Sequence, residues 1–408
     1  MKTLWRIAFR NLGRNRRRSA LTLAAVGLGM AVLVVLAGLT KGEIDAALRN
    51  GIRLKTGHLQ VREESYEEEN FSLTWEDLLE NPQDLAAQAE ALDEVQVATP
   101  VLWANGILGT REESVSVRVV GIDPRSEAHA PFREGLAAGQ FLDPGDRGGI
   151  LIGRRLAESL NLDIDSDVSL LVSTANQQPD EATFTIRGVF DTGVPAYDEI
   201  TVLLPLDKAQ AFTRTEDRAS AIWMLLHDRE AAEDVAASLR TAQCEVVTWR
   251  ELNFALLNGV EQSMGIMYMM YLVMLAVVAV IVANTLLMSV FERTQEMGIL
   301  SALGMKGRQI LTMFLLEAGA LGAMGVILGI LLGGLGVLYL ATVGLDIGDL
   351  TTAVAYSEMA IPSTIYAGVP VQETILLSVA SLVITILASL YPAWLGARME
   401  PAEALSAL

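Results

Sequence analysis

The sequence predicts a membrane α-helical protein with four transmembrane helices and a large extracytoplasmic α+β domain, a ferredoxin-like lobe carrying an inserted β-rich lobe. Three observations predict it. Four apolar runs, 19–40, 266–291, 310–342 and 373–391, are each long enough to cross a hydrocarbon core about 30 Å thick. The stretch 41–265 between the first two has the mixed composition of a water-soluble domain, and overall 51% of the chain is hydrophobic and 19% charged. Charge is segregated: residues 41–265 hold 40 acidic against 19 basic residues, whereas the first eighteen hold Lys2, Arg6, Arg10, Arg14, Arg16, Arg17 and Arg18 and no acid. Basic residues beside spans favour the cytoplasmic side, so the N-terminus belongs inside and the acidic stretch outside. A net charge of -19 argues against a nucleic-acid partner, because neutralising phosphates needs clustered Lys and Arg.

Residues 1–18 place Trp5, Ala8, Phe9 and Leu12 on one side and Arg6, Arg10 and Arg14 on another, an amphipathic helix suited to the cytoplasmic interface. The first span, 19–40, follows without a clean small-x-small cleavage site, so it reads as an uncleaved anchor and not as a secretory signal. In 41–265 the patterns predict strand 58–62, helix 82–92 and strand 97–108, then strand 221–227, helix 230–241 and strand 245–249. Two β-α-β units framing an insertion suggest a split ferredoxin-like body. The insertion, 109–220, is rich in alternating runs such as SVSVRVVGI and holds one clear helix near 154–160. The single cysteine, Cys244, cannot close an internal disulfide and reads as a strand residue, so this domain depends on core packing. The acidic run EESYEEEN at 63–70 reads as a solvated loop.

At the outer end of the second span, 266–291, Met264, Met267, Met269 and Met270 crowd with Tyr268 and Tyr271. Tyrosines there anchor at the interface, and flexible methionines suit either helix packing or a surface receiving acyl chains. Met264, Met267, Tyr268 and Tyr271 are therefore the candidates to face a substrate. Asn284 lies deep in this span, where an interhelical hydrogen bond is expected. In the third span, 310–342, Gly325, Gly329 and Gly333 repeat every fourth residue, which fits a dimer contact or an internal packing seam equally well. Glu317, near its cytoplasmic half, either sits at the interface or pairs with a neighbour. The loop 343–372 has Asp346, Asp349 and Glu358 but no Lys or Arg, in accord with an external location. The fourth span, 373–391, ends where Pro392 and Arg398 return the chain inside, leaving 392–408 as a cytoplasmic tail.

Between the second and third spans, residues 292–309 carry Arg293, Lys306 and Arg308 and should face the cytoplasm. Met297, Leu300 and Leu303 recur at helical spacing with Glu292, Gln295 and Glu296 on the other face, and Gly304 follows as a stop. Such a short helix is either a handle by which a soluble partner moves two spans or an interfacial segment lying on headgroups.

The string ERTQEMGILSALGMKGRQI resembles the cytoplasmic connector of the MacB/LolC/FtsX superfamily of ABC-transporter permeases, where E-R-x-x-E-[IM]-G-[IV]-L-x-A-[LI]-G precedes a short basic segment. Glu292, Arg293, Glu296, Met297, Gly298, Leu300, Ala302, Leu303 and Gly304 occupy it here. The ending YPAWLGARMEPAEAL is similar to that family's closing motif through Tyr391, Pro392, Ala393, Ala397, Arg398, Pro401, Glu403, Ala404 and Leu405. The GIDP at 121–124 and ILIGRRLAESLNL at 150–162 look like pieces of its periplasmic domain. The resemblance implies a porter-like lobe, an inserted β lobe, and a connector that docks on a separate dimeric ATPase through Glu292, Arg293, Glu296, Met297, Gly298, Leu300, Leu303 and Gly304. It also implies a second permease subunit, identical or related, in a bacterial inner membrane, with a periplasmic carrier or adaptor as a further partner.

No G-x-x-x-x-G-K-[ST] loop occurs, so ATP and Mg are expected on the partner and no cofactor on this chain. His58, His129 and His227 are scattered, which makes a metal site an unfavourable reading, and no catalytic constellation appears. The expectation is a non-catalytic permease subunit that relays ATP-driven motion to periplasmic domains and so extracts or releases lipoproteins or other amphiphiles. Drug or peptide efflux in a tripartite pump is the nearest rival, and an FtsX-like permease controlling a cell-wall hydrolase ranks next.

Overall fold

The computed structural model describes residues 16–66, 71, 73–146, 148–240, 244–347 and 361–398. Most of the expected N-terminal amphipathic helix, residues 67–70 of the acidic run, Asp349 and Glu358 of the external loop, and the tail motif beyond Arg398 lie outside them. The chain forms two units, one of Met1–Ile44, Val260–Leu345 and Ile365–Leu408, the other of Asp45–Gly259 and Asp346–Thr364.

The first unit is helical. Four helices, Ser19–Thr56, Phe254–Glu292, Gly307–Val343 and Val371–Ala397, are long and apolar enough to cross a membrane. Each outruns its apolar run. The first stays α-helical from Arg16 to Gly51 and ends in a π turn, Ile52–Thr56. The second starts twelve residues before position 266, in the sequence FALLNGVEQSMG. Hydropathy records where lipid lies, whereas a proline-free run of helix formers keeps its backbone hydrogen bonds past that point.

The fourth helix runs past the expected end of its span, continuing through Pro392 to Ala397. Proline removes the N–H that would bond the carbonyl of Ala388, a loss that helices packed against neighbours in a membrane tolerate. Here Pro392 is buried and Ala393 packs with Val290, Met297 and Phe314.

Gly325, Gly329 and Gly333 belong to an internal seam. A Cβ at each would stand 2.6 Å from Val26 Cγ1, 2.5 Å from Met30 Cβ and 2.8 Å from Val34 Cβ. The first and third helices thus approach closely through three glycines facing three larger residues, also four apart. Beside this seam Met30, Leu33 and Val34 pack with Tyr271, Leu275 and Leu377. Farther along the first helix the backbone N–H of Gly368 donates to Gly38 O at 2.8 Å.

The second unit is built on a ten-stranded sheet. In chain order its strands, with the small strands β2 and β10 that pair only with each other, are β1 (Leu59–Glu63), β2 (Leu79–Glu80), β3 (Val95–Gly109), β4 (Ser114–Ile122), β5 (Leu136–Gly139), β6 (Gly149–Gly153), β7 (Asp167–Ser173), β8 (Pro179–Phe190), β9 (Thr201–Pro205), β10 (Arg218–Ala219), β11 (Ala221–Leu226) and β12 (Cys244–Thr248). The order is β12-β1-β11-β3-β4-β9-β6-β8-β5, with β7 bridging β3 and β8. The first four are antiparallel throughout, with helices Pro82–Glu90 and Ala232–Leu239 following β1 and β11. Their core joins Leu59, Val95, Met224, Val235 and Val246, and half-buried Cys244 packs against it.

The long strand β3 serves two neighbourhoods. Val95–Val101 pair with β11, whereas Leu102–Gly109 pair with β4. From β3 the pairings run through β4, β9, β6, β8 and β7 and return to β3, a closed ring around Leu108, Val117, Ile150, Leu170, Phe184 and Leu204. Closure leaves few unpaired strand edges. Besides the expected helix at Arg154–Ser159, the inserted region holds two shorter helices, Ala130–Glu134 and Pro195–Asp198, and an eight-residue one, Leu206–Thr213, that sequence pattern did not single out.

Two buried titratable groups give this unit a pH profile. Asp198 accepts hydrogen bonds from Thr192 Oγ1 at 2.7 Å and Thr192 N at 3.1 Å, yet burial pushes its carboxyl up to about 8. His129, buried 6.4 Å in ring separation from Trp223, is lowered by burial, aided by Arg133, to about 3. The native state therefore binds a proton at Asp198 that the unfolded chain has lost above 3.8, so stability declines as pH rises toward 8. At His129 the unfolded chain gains a proton below 6.5 that the native state refuses, so stability declines as pH falls from 6.5 toward 3.

Between pH 6.5 and 8 the Asp198 proton is lost while His129 is neutral in both states, and Asp198→Asn should flatten the fall in melting temperature across that window, followed by tryptophan fluorescence of the detergent-solubilised chain. For the helical seam, Gly329→Ala should lower stability by about 1–3 kcal/mol through overpacking. Gly334→Ala, with nothing within 4 Å of the added Cβ, should not lower it and should gain up to about 1 kcal/mol from helix propensity.

Candidate coupling site at the connector between the second and third spans

The second span helix ends at Glu292, Arg293 leaves helical geometry, and a connector helix covers Thr294–Ala302. Its end is a Schellman motif: Gly304, at φ +91°, donates its N–H to Ser301 O at 3.0 Å, and Met305 N–H donates to Leu300 O at 3.0 Å. A glycine is required because the left-handed conformation strains any residue bearing a Cβ. Lys306 is extended and its N–H donates to Gln309 Oε1 at 2.9 Å, starting the third span helix at Gly307.

What holds the connector is a buried ion pair. Arg293 Nη1 lies 3.1 Å from Glu317 Oε2, and the two side chains are only 4% and 2% exposed. Arg293 Nε also lies 3.9 Å from Glu296 Oε2 at the rim. Met297 sits below the connector with Val290, Ile310, Met313, Phe314 and Ala393. The fourth helix closes the cluster: a Cβ on Gly396 would come within 3.3 Å of Met297 Sδ, Phe314 Cε2 and Val290 Cγ1. Salt bridge and apolar cluster together tie the connector to the second, third and fourth helices.

The expected coupling residues divide by role. Arg293, Met297 and Gly298 are buried, Leu300 is half-buried, and Glu292, Glu296, Leu303 and Gly304 are exposed. Met297, Leu300 and Leu303 do not share one buried face: Leu303 lies past the last helical turn and is 80% exposed. With exposed Ile299 it gives the connector an apolar tip beside Lys306 and Arg308. Ile299 escaped sequence reasoning because it falls off the expected apolar stripe. Glu317 had a signal, since an acid inside a span demands a partner, but no spacing rule reveals that its cation lies 24 residues upstream.

The four substrate-facing candidates also separate. Tyr271 and Met267 pack into the bundle core, with Thr40 Oγ1 at 3.9 Å from Met267 Sδ, whereas Met264 is half-buried and Tyr268 exposed. Tyr268 meets Tyr271 edge-on at 6.2 Å.

Four long apolar helices, a large sheet-based unit and a clamped connector are the architecture of a multi-pass membrane protein with a large domain outside its helical bundle. Comparison with known proteins agrees: residues 19–242 match the MacB-like periplasmic core domain, and residues 268–401 match the FtsX-like permease C-terminal region. The chain belongs to the ABC-transporter permease family defined by this MacB-like periplasmic core domain and FtsX-like C-terminal region. It is 24% identical over 405 residues to the lipoprotein-releasing system transmembrane protein LolC of Xylella fastidiosa, covering 95% of this chain and 93% of that protein. It is 27% identical over 420 residues to the macrolide export ATP-binding/permease protein MacB of Rhodospirillum rubrum, covering 98% of this chain and 60% of that one. The crystal structure of the periplasmic region of MacB from Actinobacillus actinomycetemcomitans aligns with 52% of this chain and 98% of its own, at TM-score 0.35 and 14% identity.

Removing one member of a buried ion pair strands a charge and costs about 3–5 kcal/mol, whereas replacing both with apolar residues is often near neutral. Arg293→Met and Glu317→Met should therefore each destabilise the solubilised chain strongly, and the double variant should recover most of the loss. A double-mutant cycle on melting temperature checks this; additive losses would contradict the pairing.

Proposed function

We propose that this chain is the non-catalytic permease subunit of an ABC transporter, relaying the motion of a separate ATPase dimer to its extracytoplasmic domain in order to extract or release lipoproteins or other amphiphiles. The observation that carries the reading is the connector's division of labour: Arg293 and Met297 clamp it to the bundle, while Leu303 and Ile299 present an apolar tip available to a soluble partner. A device of this form transmits force, since a push on the tip reaches the span helices through buried, directional contacts.

Several readings accompany it. Both termini and the connector 292–309 lie in the cytoplasm of a bacterium with an inner membrane, and 41–265 lies in the periplasm, as the distribution of basic residues supports. The β12-β1-β11-β3 part of the sheet, with its two helices, is the ferredoxin-like porter lobe, and the strand ring around 109–220 is the inserted lobe. Two permease chains pair over the ATPase dimer, and ATP and Mg bind that partner. A periplasmic carrier or adaptor receives the substrate, and Tyr268 and Met264 are the substrate-facing candidates with open surface. The relatives named for lipoprotein release are matched over nearly their whole length, which favours amphiphiles as substrate. The 27% identity to a macrolide exporter keeps drug or peptide efflux as the second reading.

Because Leu303 is 80% exposed, Leu303→Arg should leave the melting temperature unchanged. In a complex reconstituted with its ATPase it should lower ATP-driven substrate release by about tenfold, the effect of roughly 1.4 kcal/mol at an interface. Unaltered coupling would contradict the proposed docking role.

A further inference from the structure

On the fourth helix, Val371–Ala397, the side chains of Val383, Leu387, Tyr391 and Trp394 are exposed. Spaced by three or four residues they share one face, and exposed Arg398 continues the line just past the helix end. The Arg398 guanidinium lies over the Trp394 ring, 4.5 Å from its centroid. Along the helix this face passes from aliphatic to aromatic to cationic, the order in which hydrocarbon, interface and headgroup follow one another across a leaflet. Four residues separate Trp394 from Arg398, about 6 Å along the axis, so an indole at the interface sets the cation among the phosphates.

A second helix brings more charge to the same place. A Cβ on Gly307 would stand 2.7 Å from Ala397 O, so the start of the third helix lies directly against the end of the fourth. Lys306 and Arg308 flank that glycine and Arg398 follows that alanine, which gathers three cations at one junction. All three are exposed, and none forms an ion pair with a described residue. The positive end of the third helix dipole adds to them. Like charges held together repel, and an anion seated between them relieves the repulsion.

We propose that this junction binds an anionic phospholipid, its phosphate among Arg398, Lys306 and Arg308 and an acyl chain along Val383, Leu387 and Tyr391. Charge complementarity calls for an anion, and the apolar face that leads into the cations calls for one that carries a hydrocarbon chain. A soluble anion leaves that face without a role, and a soluble protein does not reach along it. The proposal rests on the reading of these helices as membrane spans, and it does not need the ATPase.

The test uses the full chain in phosphatidylcholine nanodiscs carrying a minor share of phosphatidylglycerol with a photoreactive acyl chain, and reads the labelled peptides by mass spectrometry. Labelling should concentrate on residues 383–398 and be competed by unlabelled phosphatidylglycerol, whereas photoreactive phosphatidylcholine should spread over the exposed faces of all four helices. Arg398→Gln should cut the phosphatidylglycerol labelling about fivefold, the effect of one charge at a membrane surface, and Arg398→Lys should keep most of it. Lys306→Gln combined with Arg308→Gln should also lower it, while Arg250→Gln in the sheet-based unit, where Arg250 pairs with Glu230, should change nothing. Comparison of the two lipids on the unaltered chain carries the test even where a variant fails to fold. Equal labelling by both lipids, or labelling that survives loss of all three charges, overturns the proposal. So does loss of ATPase binding in Arg398→Gln with lipid labelling intact, which assigns the cations to the soluble motor. Failure of any ATPase to co-purify while the labelling pattern holds would strike the proposed function and leave the lipid site standing.

Discussion

The architecture of the candidate site depends on one buried ion pair, Arg293 with Glu317. Desolvating both charges is expensive, and a pair of apolar residues of similar size would hold the helices together as firmly. What charges add is direction. A guanidinium and a carboxylate meet in a narrow set of geometries, so the residue that ends one span and begins the connector is fixed in orientation against the next span. Grease alone lets a short helix roll. With Arg293 fixed, Met297 has one place to go, and the cluster of Val290, Phe314 and Ala393 forms around it.

Close packing elsewhere in the bundle serves the same end. Gly325, Gly329 and Gly333 bring the third helix onto Val26, Met30 and Val34 of the first, and the Gly38–Gly368 hydrogen bond ties the segment before the fourth helix to the first. In the other unit a closed ring of strands shares β3 with the four-stranded portion, so that a displacement of one neighbourhood is felt by the other through a single continuous strand. Asp198 and His129 lie buried within this unit as neutral groups at the middle of the pH scale, which places its greatest stability on the acid side of 8.

Much of this was legible in the sequence, for reasons that differ by residue. The spans follow from hydropathy, and the β-α-β patterns around 58–108 and 221–249 fall within a few residues of the observed elements, because alternation of apolar residues directly reflects a half-buried sheet. Helix ends were less legible: the helices run on past the charge at Lys41 and the proline at Pro392, because neither residue stops a helix that is packed against its neighbours. Side-chain roles in the connector were least legible. Helical spacing groups Met297 with Leu300 and Leu303, but the helix stops at Ala302, and one residue beyond the last turn is enough to carry Leu303 into solvent. Pairing of Arg293 with Glu317 is a tertiary fact that no local pattern encodes. The glycine seam illustrates the same limit, since spacing identifies a smooth face and only the fold shows what fills it.

If the apolar tip at Leu303 faces the cytoplasm under a soluble motor, a thiol placed there reports both facts. The most direct test replaces Cys244 with alanine and Leu303 with cysteine, then labels intact cells and inverted vesicles with a membrane-impermeant maleimide. Labelling is expected in inverted vesicles alone, with protection there when the ATPase is bound. Labelling from outside intact cells, or full reactivity in the presence of bound ATPase, would contradict it.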